Sequence, residues 1–430
     1  MRPFDSRPEP AGRGPLAQGR QFGPTLLWVL AAAAIVLLIY EARTLVGSVL
    51  LPLIANPHAL QTDFHYYYDA ARRFAFDGSS VYRLSDDVIA GFTYPPPAIV
   101  PFVALAKLPL GTAFTLMTVA TYVVLLVTIR QWLDYLARHG QAVDRLTAAA
   151  ATVIALSLGP TYMNAVFGQV NAFVLGSSVA FVATAFRRPM VAGAALALGS
   201  WLKIYPMLLA WIASWDRRAW RALGNALAAA VMVVALSLIV VPIDAYRMFL
   251  FDVLPTRSDK TAIHITNQSL IAFLERFRYE PPMFLNWTGE QAITFSEGVR
   301  AINFGLLGIA LVVLRFARAR LHGVHAAAML MALIAIVAPL GWGHMYVMAL
   351  PLVVSQLIAL RQASPVKALA IAACVCALML PAGRHLPLDS APAFLQNIVY
   401  SRYLLATIVL VWISAVSVRR EPISAGIAPA

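Results

Sequence analysis

The sequence predicts an all-α protein that crosses a membrane many times. Three observations carry that reading. The mean hydropathy is +0.73. Hydrophobic residues make up 60% of the 430 positions and charged residues only 12%. Apolar windows long enough for a hydrocarbon core of ~30 Å recur along the chain. Thr25 to Tyr40, Phe114 to Ile129, Ala222 to Val241 and Leu404 to Val418 are the clearest. A β-barrel would instead show repeated alternating segments of ~10 residues, and the sequence has none.

Arg2, Arg7, Arg13 and Arg20 precede the first window. The apolar run behind them is long and lacks a small-x-small cleavage site, so it reads as a retained signal anchor. The two cysteines, Cys374 and Cys376, share one apolar segment at spacing i, i+2. That spacing places them on different helix faces, where they should not pair. No Cys/His cluster has metal-ligand spacing.

Basic residues set the orientation. They cluster in the N-terminal tail, Arg130 to Arg145, Arg187-Arg188, Arg217 to Arg221, Arg315 to Arg320, Arg361 to Lys367 and Arg419-Arg420. These clusters hold nineteen of the 33 lysines and arginines, with six of the 20 acids. The rest of the chain is then electrically neutral, and the whole formal charge of +13 lies on one side. By the positive-inside rule that side is the cytoplasm. The basic pI therefore needs no nucleic-acid partner.

An even number of crossings must separate successive inside clusters. Spans are expected near 25–43, 98–129, 147–163, 170–186, 189–201, 203–215, 221–242, 299–315, 324–338, 345–360, 367–381 and 402–418. That gives twelve, with both termini inside. Segment 98–129 exceeds one plain span, and Pro101 with "KLPLG" at 107–111 suggests a short entry helix before it. Two long outer loops remain, 44–97 and 243–298, expected to hold short helices on the membrane surface. The tail from Glu421 reads as disordered.

Six polar stretches fall on the outer side of this topology. They are "TDFHYYYDAARR" from Thr62, "FTYPPP" from Phe92, "GQVN" from Gly168, "WLKIYP" from Trp201, "NQSL" from Asn267 and "PLGWGHMY" from Pro339. The charge pattern did not use them, so their convergence is informative. Each also has a plainer explanation. Asp63 could be the N-cap of a helix starting at Phe64. The tyrosines could be an interfacial belt. The prolines could fix a rigid entry into a span. Gln169 and Asn171 could cap a helix, and Asn267 with Gln268 could be loop polarity.

Lys203 is harder to explain away. An ammonium deep in an apolar stretch needs a partner, a wet cavity or a snorkelling route. His344 follows Gly341, Trp342 and Gly343, and flanking glycines would let it approach a ligand closely. No P-loop, nucleophile elbow, His-Glu metalloprotease pattern or D-x-D clamp is present. Asp86-Asp87 read as loop polarity.

In this order, the stretches resemble glycosyltransferase family 87 of the GT-C superfamily, which includes polyprenol-phosphate-mannose-dependent mannosyltransferases. The resemblance rests on Asp63-Phe64 with Tyr67, "YPPP" at Tyr94, "GQVN" at Gly168, Lys203-x-x-Pro206, "NQSL" at Asn267 and Trp342-x-His344. It runs from about Asp63 to Leu360. One departure is plain: the family often shows two adjacent histidines, and this chain has His344-Met345.

The resemblance implies a single GT-C catalytic domain over 23–420, between a cytoplasmic tail 1–22 and the tail 421–430. It implies a multi-pass enzyme of the bacterial inner membrane whose chemistry is extracytoplasmic. The partners would be a polyprenyl-phosphate sugar donor, with mannose as the hexose, and a glycolipid or glycan acceptor, with no cofactor and no metal. Asp63 would be the general base. Lys203, His344, Arg72 and Arg73 would stabilise the donor phosphate. Tyr67, Tyr94, Gln169, Asn171, Asn267, Gln268 and Trp342 would meet sugar or acceptor. A β-linked donor attacked in line would give inversion. Related readings are an arabinosyl- or glucosyltransferase, or a twelve-span transporter, although a transporter would show internal repeats and ionisable groups at mid-membrane.

Overall fold

The computed structural model describes residues 15–83, 91–286, 292–317, 322–384, 386–388 and 390–417. Arg2, Arg7, Arg13, Asp86-Asp87, Arg318, Arg320, Arg419-Arg420 and the tail 421–430 lie outside the described residues. The fold is helical, as the hydropathy predicts. Among the described residues five helices are long and apolar enough to cross a membrane, or seven if each of two bent pairs counts as one span. The other predicted spans fall on apolar helices of 10–17 residues. Pro189–Leu202, with 14 residues, is about 21 Å long and does not cross a ~30 Å core unaided.

The departures from the expected spans have local causes. The first apolar helix continues past 43 to Ala55. Its extension, Val46–Ala55, is apolar and helical throughout, with a π turn at Val46–Leu50 directly before Pro52, whose missing N–H forgoes one helix hydrogen bond. The polar connection therefore begins at Asn56. Segment 98–129 divides into Ile99–Leu105 and Leu110–Arg138, at the break the prolines suggested. Segment 147–163 is not straight: Arg145–Leu156 and Gly159–Phe167 meet at 51°, with Pro160 starting the second helix. A second bend, of 63°, separates Ala393–Tyr400 from the last span at Arg402. Segment 203–215 is a 3₁₀ helix, Tyr205–Ser214, because Lys203 is extended and ends the preceding helix.

Burial separates central from peripheral helices. The span Gly343–Gln362 is 94% buried, whereas Ala219–Ser237 is 11% buried and Glu297–Ala317 is 17% buried. The first lies in the middle of the bundle, and the other two face what surrounds it. Small residues allow the closest approaches, as expected of helix packing in lipid. At Gly193 a Cβ would meet the backbone nitrogen of Ala226 at 2.6 Å, so Pro189–Leu202 and Ala219–Ser237 touch there backbone to backbone.

The segment 44–97 contributes the helix Asp63–Phe76. The segment 243–298 carries short helices, including Ile243–Met248, Leu270–Arg276 and Pro281–Leu285. It also holds an antiparallel ribbon, Lys260–Ala262 against Ala292–Thr294, which a helices-only reading does not anticipate. Both cysteines are free, with Cys374 buried and Cys376 exposed.

Candidate active site

Asp63 does not cap its helix. Thr62 is the N-cap, with extended backbone, and its N–H donates to Nδ1 of His65 at 3.0 Å. The same ring's Nε2 meets the carbonyl of Pro57 at 3.1 Å. A carbonyl only accepts, so the ring proton is on Nε2 and Nδ1 is the acceptor. This is the reciprocal N-terminal box, with imidazole in place of the usual carboxylate. It leaves the Asp63 carboxylate free at the first helical position. Tyr67 follows one turn later on the same face.

The "GQVN" stretch brings the partners. The helix Gly159–Phe167 ends at Gly168, whose φ of +63° is left-handed. A Cβ there would lie 2.7 Å from Phe64 Cβ and 2.9 Å from the Phe114 ring, so glycine is required twice over. The next helix starts at Asn171 with Val170 as its N-cap. Neither Gln169 nor Asn171 caps it, and both side chains turn to other work. Gln169 Nε2 donates to Asp63 Oδ2. Lys203 Nζ donates to Gln169 Oε1 at 3.2 Å and to Asn171 Oδ1 at 2.7 Å. Tyr205 adds a hydroxyl to the same Asn171 oxygen at 2.7 Å. Asn171 Nδ2 lies 2.8 Å from His344 Nδ1, and His344 Nε2 lies 3.6 Å from Asp63 Oδ2.

The donor–acceptor pattern fixes the protons. An ammonium only donates, so both amide oxygens face Lys203 and both amide nitrogens face away from it. Gln169 therefore donates to Asp63, and Asn171 donates to His344 Nδ1. That nitrogen must be unprotonated, and the ring proton sits on Nε2, towards Asp63. In this arrangement His344 is a neutral donor, not a cation. Lys203 finds its partners among neutral amide oxygens and two aromatic faces, Tyr94 at 5.2 Å and Tyr205 at 6.0 Å.

Tyr94 closes the cluster. Its hydroxyl is 2.6 Å from that of Tyr67 and donates to Gln169 Oε1 at 3.4 Å. The Asp63 side chain remains 34% exposed, against 5% for His344, so solvent reaches it, as it reaches the half-buried Tyr94, Lys203 and Tyr205. Burial pushes the Asp63 carboxyl above its ordinary range, opposed by the hydrogen bond from Gln169 and the charge of Lys203. Among the described residues no hydrogen bond is made by Asp63 Oδ1, so that oxygen is available to a substrate hydroxyl.

Asp63, Tyr67, Tyr94, Gln169, Asn171, Lys203 and His344 are thus brought together. Five other expected residues are not. Arg72 and Arg73 lie nine and ten residues beyond Asp63 on one helix, about 14 Å along its axis. Arg72 is exposed over the Tyr68 ring at 5.9 Å, and among the described residues the buried Nε of Arg73 has no hydrogen-bond partner. Asn267 is fully buried, and its amide nitrogen meets the carbonyls of Ala262 at 2.9 Å and Pro339 at 3.1 Å. Gln268, equally buried, donates to Ile265 O at 2.5 Å and Tyr400 O at 2.7 Å and accepts from Tyr403 N at 3.0 Å. Their hydrogen-bonding groups are spent on the protein, so neither is loose loop polarity. Behind them the buried Arg276 donates to Asn267 O at 2.8 Å and to Ser401 Oγ at 2.7 Å.

Trp342 pairs through its backbone with Asn267. The flanking glycines admit protein, not ligand: a Cβ on Gly341 would meet Ala335 O at 2.6 Å, and one on Gly343 would meet Ala382 Cβ at 2.7 Å. The "NQSL" and "GWGH" stretches therefore brace each other and set the position of His344. Asn164 helps, donating to the His344 carbonyl at 2.5 Å. Asn164, Tyr205 and the Thr62–His65 box were not among the expected site residues. Tyr205 stands two residues from Lys203 in the same motif, which was a usable signal; Asn164 sits in an apolar run with none.

Residues 92–340 match the model of glycosyltransferase family 87, more than half of the chain. The chain belongs to glycosyltransferase family 87. No curated protein matches it. It is therefore a membrane glycosyltransferase, and the transporter reading falls away. The matched span contains the "YPPP", "GQVN", Lys203-x-x-Pro206 and "NQSL" motifs. Asp63 and His344 stand outside it, on either side, and are tied to this glycosyltransferase's matched region through Gln169, Asn171 and Lys203.

Proposed function

We propose that this glycosyltransferase transfers a hexose, mannose in the first instance, from a polyprenyl-phosphate sugar to a glycolipid or glycan acceptor, with inversion and with Asp63 as general base. The observation that carries the proposal is the Asp63 carboxylate, held at one oxygen by Gln169 and open at the other, beside Lys203 and His344. The acceptor hydroxyl gives its proton to Asp63 Oδ1 as its oxygen attacks the anomeric carbon. The bond from that carbon to the phosphate oxygen breaks, and the electron pair leaves with the polyprenyl phosphate. Lys203 and the Nε2–H of His344 supply charge and a hydrogen bond near the departing anion. An ammonium has three N–H groups, and two of those on Lys203 are engaged, so one remains.

Tyr67 and Tyr94 line the approach and suit a sugar face, while Gln169 and Asn171 act through their orientation. Arg72 and Arg73, about 14 Å along their helix from Asp63, take no part in the transfer itself. The placement of this cluster away from the basic clusters favours an extracytoplasmic reaction in a bacterial inner membrane, with both termini inside and a GT-C arrangement of twelve crossings, several of them made by short or broken helices. An arabinosyl or glucosyl donor would use the same groups.

The test is transfer from radiolabelled polyprenyl-phosphate mannose, glucose and arabinose to native membrane extract, comparing the natural chain with Asp63→Asn. Label should pass from the mannosyl donor and should not pass in the variant. Full transfer by Asp63→Asn would overturn the base; consumption of another donor alone would overturn the sugar.

A further inference from the structure

A second concavity lies far from Asp63. The helix Leu110–Arg138 begins beside the candidate site, where Phe114 packs edge-on against Phe64 with ring centroids 5.5 Å apart. From Phe114 to Tyr135 the helix advances about 32 Å, close to one hydrocarbon core. At that far end a cleft of about 250 Å³ is lined by Tyr135, Arg138, His139, Arg187, Asp216 and Arg218. The basic groups come from three separate parts of the chain. Arg138 and His139 end one helix, Arg187 follows the helix Asn171–Thr184, and Arg218 follows the 3₁₀ helix Tyr205–Ser214.

The charges in this cleft do not balance. Asp216 is its one carboxylate, and Arg218 takes Asp216 Oδ2 with Nε at 2.9 Å and Nη2 at 2.7 Å. Among the described residues no carboxylate forms an ion pair with Arg138 or Arg187. Arg138 spends only Nε on the protein, donating to Asp134 O at 3.1 Å. His139 Nδ1 is engaged by Tyr135 O at 2.8 Å, which leaves Nε2. Both Arg138 and Arg187 lie within electrostatic range of the Tyr135 hydroxyl. The remaining wall, Val182, Ala183 and Phe186, is apolar.

Membrane orientation requires arginines on one side, but it does not require three to converge on one concavity. Planar guanidiniums suit the oxygens of a phosphate ester, and an adjoining apolar wall suits what a lipid carries next to it. We infer that this cleft binds the phosphate headgroup of an anionic phospholipid, on the membrane face opposite the Asp63 cluster. The site does not depend on the sugar-transfer reading.

The experiment uses the full-length protein in phosphatidylcholine nanodiscs, with and without phosphatidylglycerol, and reads retained lipid by native mass spectrometry together with the melting temperature. Phosphatidylglycerol should be retained at least tenfold over phosphatidylcholine and should raise the melting temperature. Arg138→Gln with Arg187→Gln should abolish both effects, Arg187→Lys should keep part of them, and Arg130→Gln, outside the cleft, should change neither. If the double variant does not fold, Arg187→Gln alone is read the same way. A second arm adds inorganic phosphate without anionic lipid. An Arg187-dependent shift with phosphate that phosphatidylglycerol does not increase would replace the lipid by a soluble phosphate. Equal retention of phosphatidylglycerol by the natural chain and the arginine variants would overturn the site.

Discussion

Lys203 donates to Asn171 Oδ1 at 2.7 Å, and that one bond decides which nitrogen of His344 carries its proton. The amide can offer only its nitrogen to the imidazole, so Nδ1 stays bare and Nε2–H faces Asp63. Asn171→Asp keeps the shape but turns a donor into an acceptor. His344 would then carry a proton on Nδ1 as well and, between two carboxylates, become a cation in place of a neutral donor. We expect kcat to fall at least tenfold, or ~1.4 kcal/mol of transition-state stabilisation, with little change in KM. An unchanged kcat would show that the protonation of His344 is irrelevant to transfer.

Asp63→Asn removes the base while keeping the hydrogen-bonding volume. The expected loss in transfer rate is on the order of 10²–10⁴-fold. Because Thr62 and His65 close the helix start without Asp63, the melting temperature should stay within a degree or two of the natural chain. A large drop in melting temperature would instead mark Asp63 as structural.

The pH profile carries its own sign. Burial raises the Asp63 pKa, and Lys203 holds it down. A base works deprotonated, so transfer should fail as pH drops through a value above the ordinary carboxylate range. Lys203→Met removes the charge that opposes protonation, so this acid limb should move to higher pH. Rates measured from acid to neutral pH on both proteins decide it. A limb that stays in place would show that another group titrates.

Gln268→Ala separates a brace from a sugar contact. It deletes the amide that holds Ile265, Tyr400 and Tyr403 and leaves buried backbone groups unpaired, at ~1–3 kcal/mol for each such group. The melting temperature should fall, with activity lost in proportion to the folded fraction. A raised acceptor KM at unchanged melting temperature would instead return Gln268 to the sugar site.

Glu41 offers the opposite sign. Its side chain is buried inside the first span, and among the described residues neither carboxylate oxygen has a hydrogen-bond partner. A buried polar group without a partner is costly. Glu41→Leu should raise the melting temperature, and an unfolded or markedly less stable variant would show that this carboxyl has a partner worth keeping.

Hydropathy alone made the helical class legible, because lipid-compatible helices must be apolar over their whole length. Span limits were less legible, and the reasons are local. Nothing in the apolar run Val46–Ala55 marks the end of a span at 43, and the bend before Pro160 follows from one pyrrolidine ring. The site residues on the "GQVN" and Lys203 motifs were readable, since an ammonium and two amides in apolar surroundings demand partners. Asn267 and Gln268 share that chemistry but spend it on backbone carbonyls, a distinction that requires knowing what stands opposite each amide. Thr62 with His65 was missed because a histidine rarely takes the third position of the box, where glutamate is the familiar sign.

The contact at Gly193 reaches further than packing. Lys203 caps the end of that helix, ten residues on and about 15 Å from that crossing. The helix is a lever with its fulcrum where two backbones touch, and the ammonium rides on its tip. A single methyl wedged in as Gly193→Ala would tilt the lever, and a tip displaced by 1 Å is enough to cost ~10²-fold in rate. The tolerance of the chemistry is therefore set in part by one backbone-to-backbone contact, at a residue no substrate would ever touch.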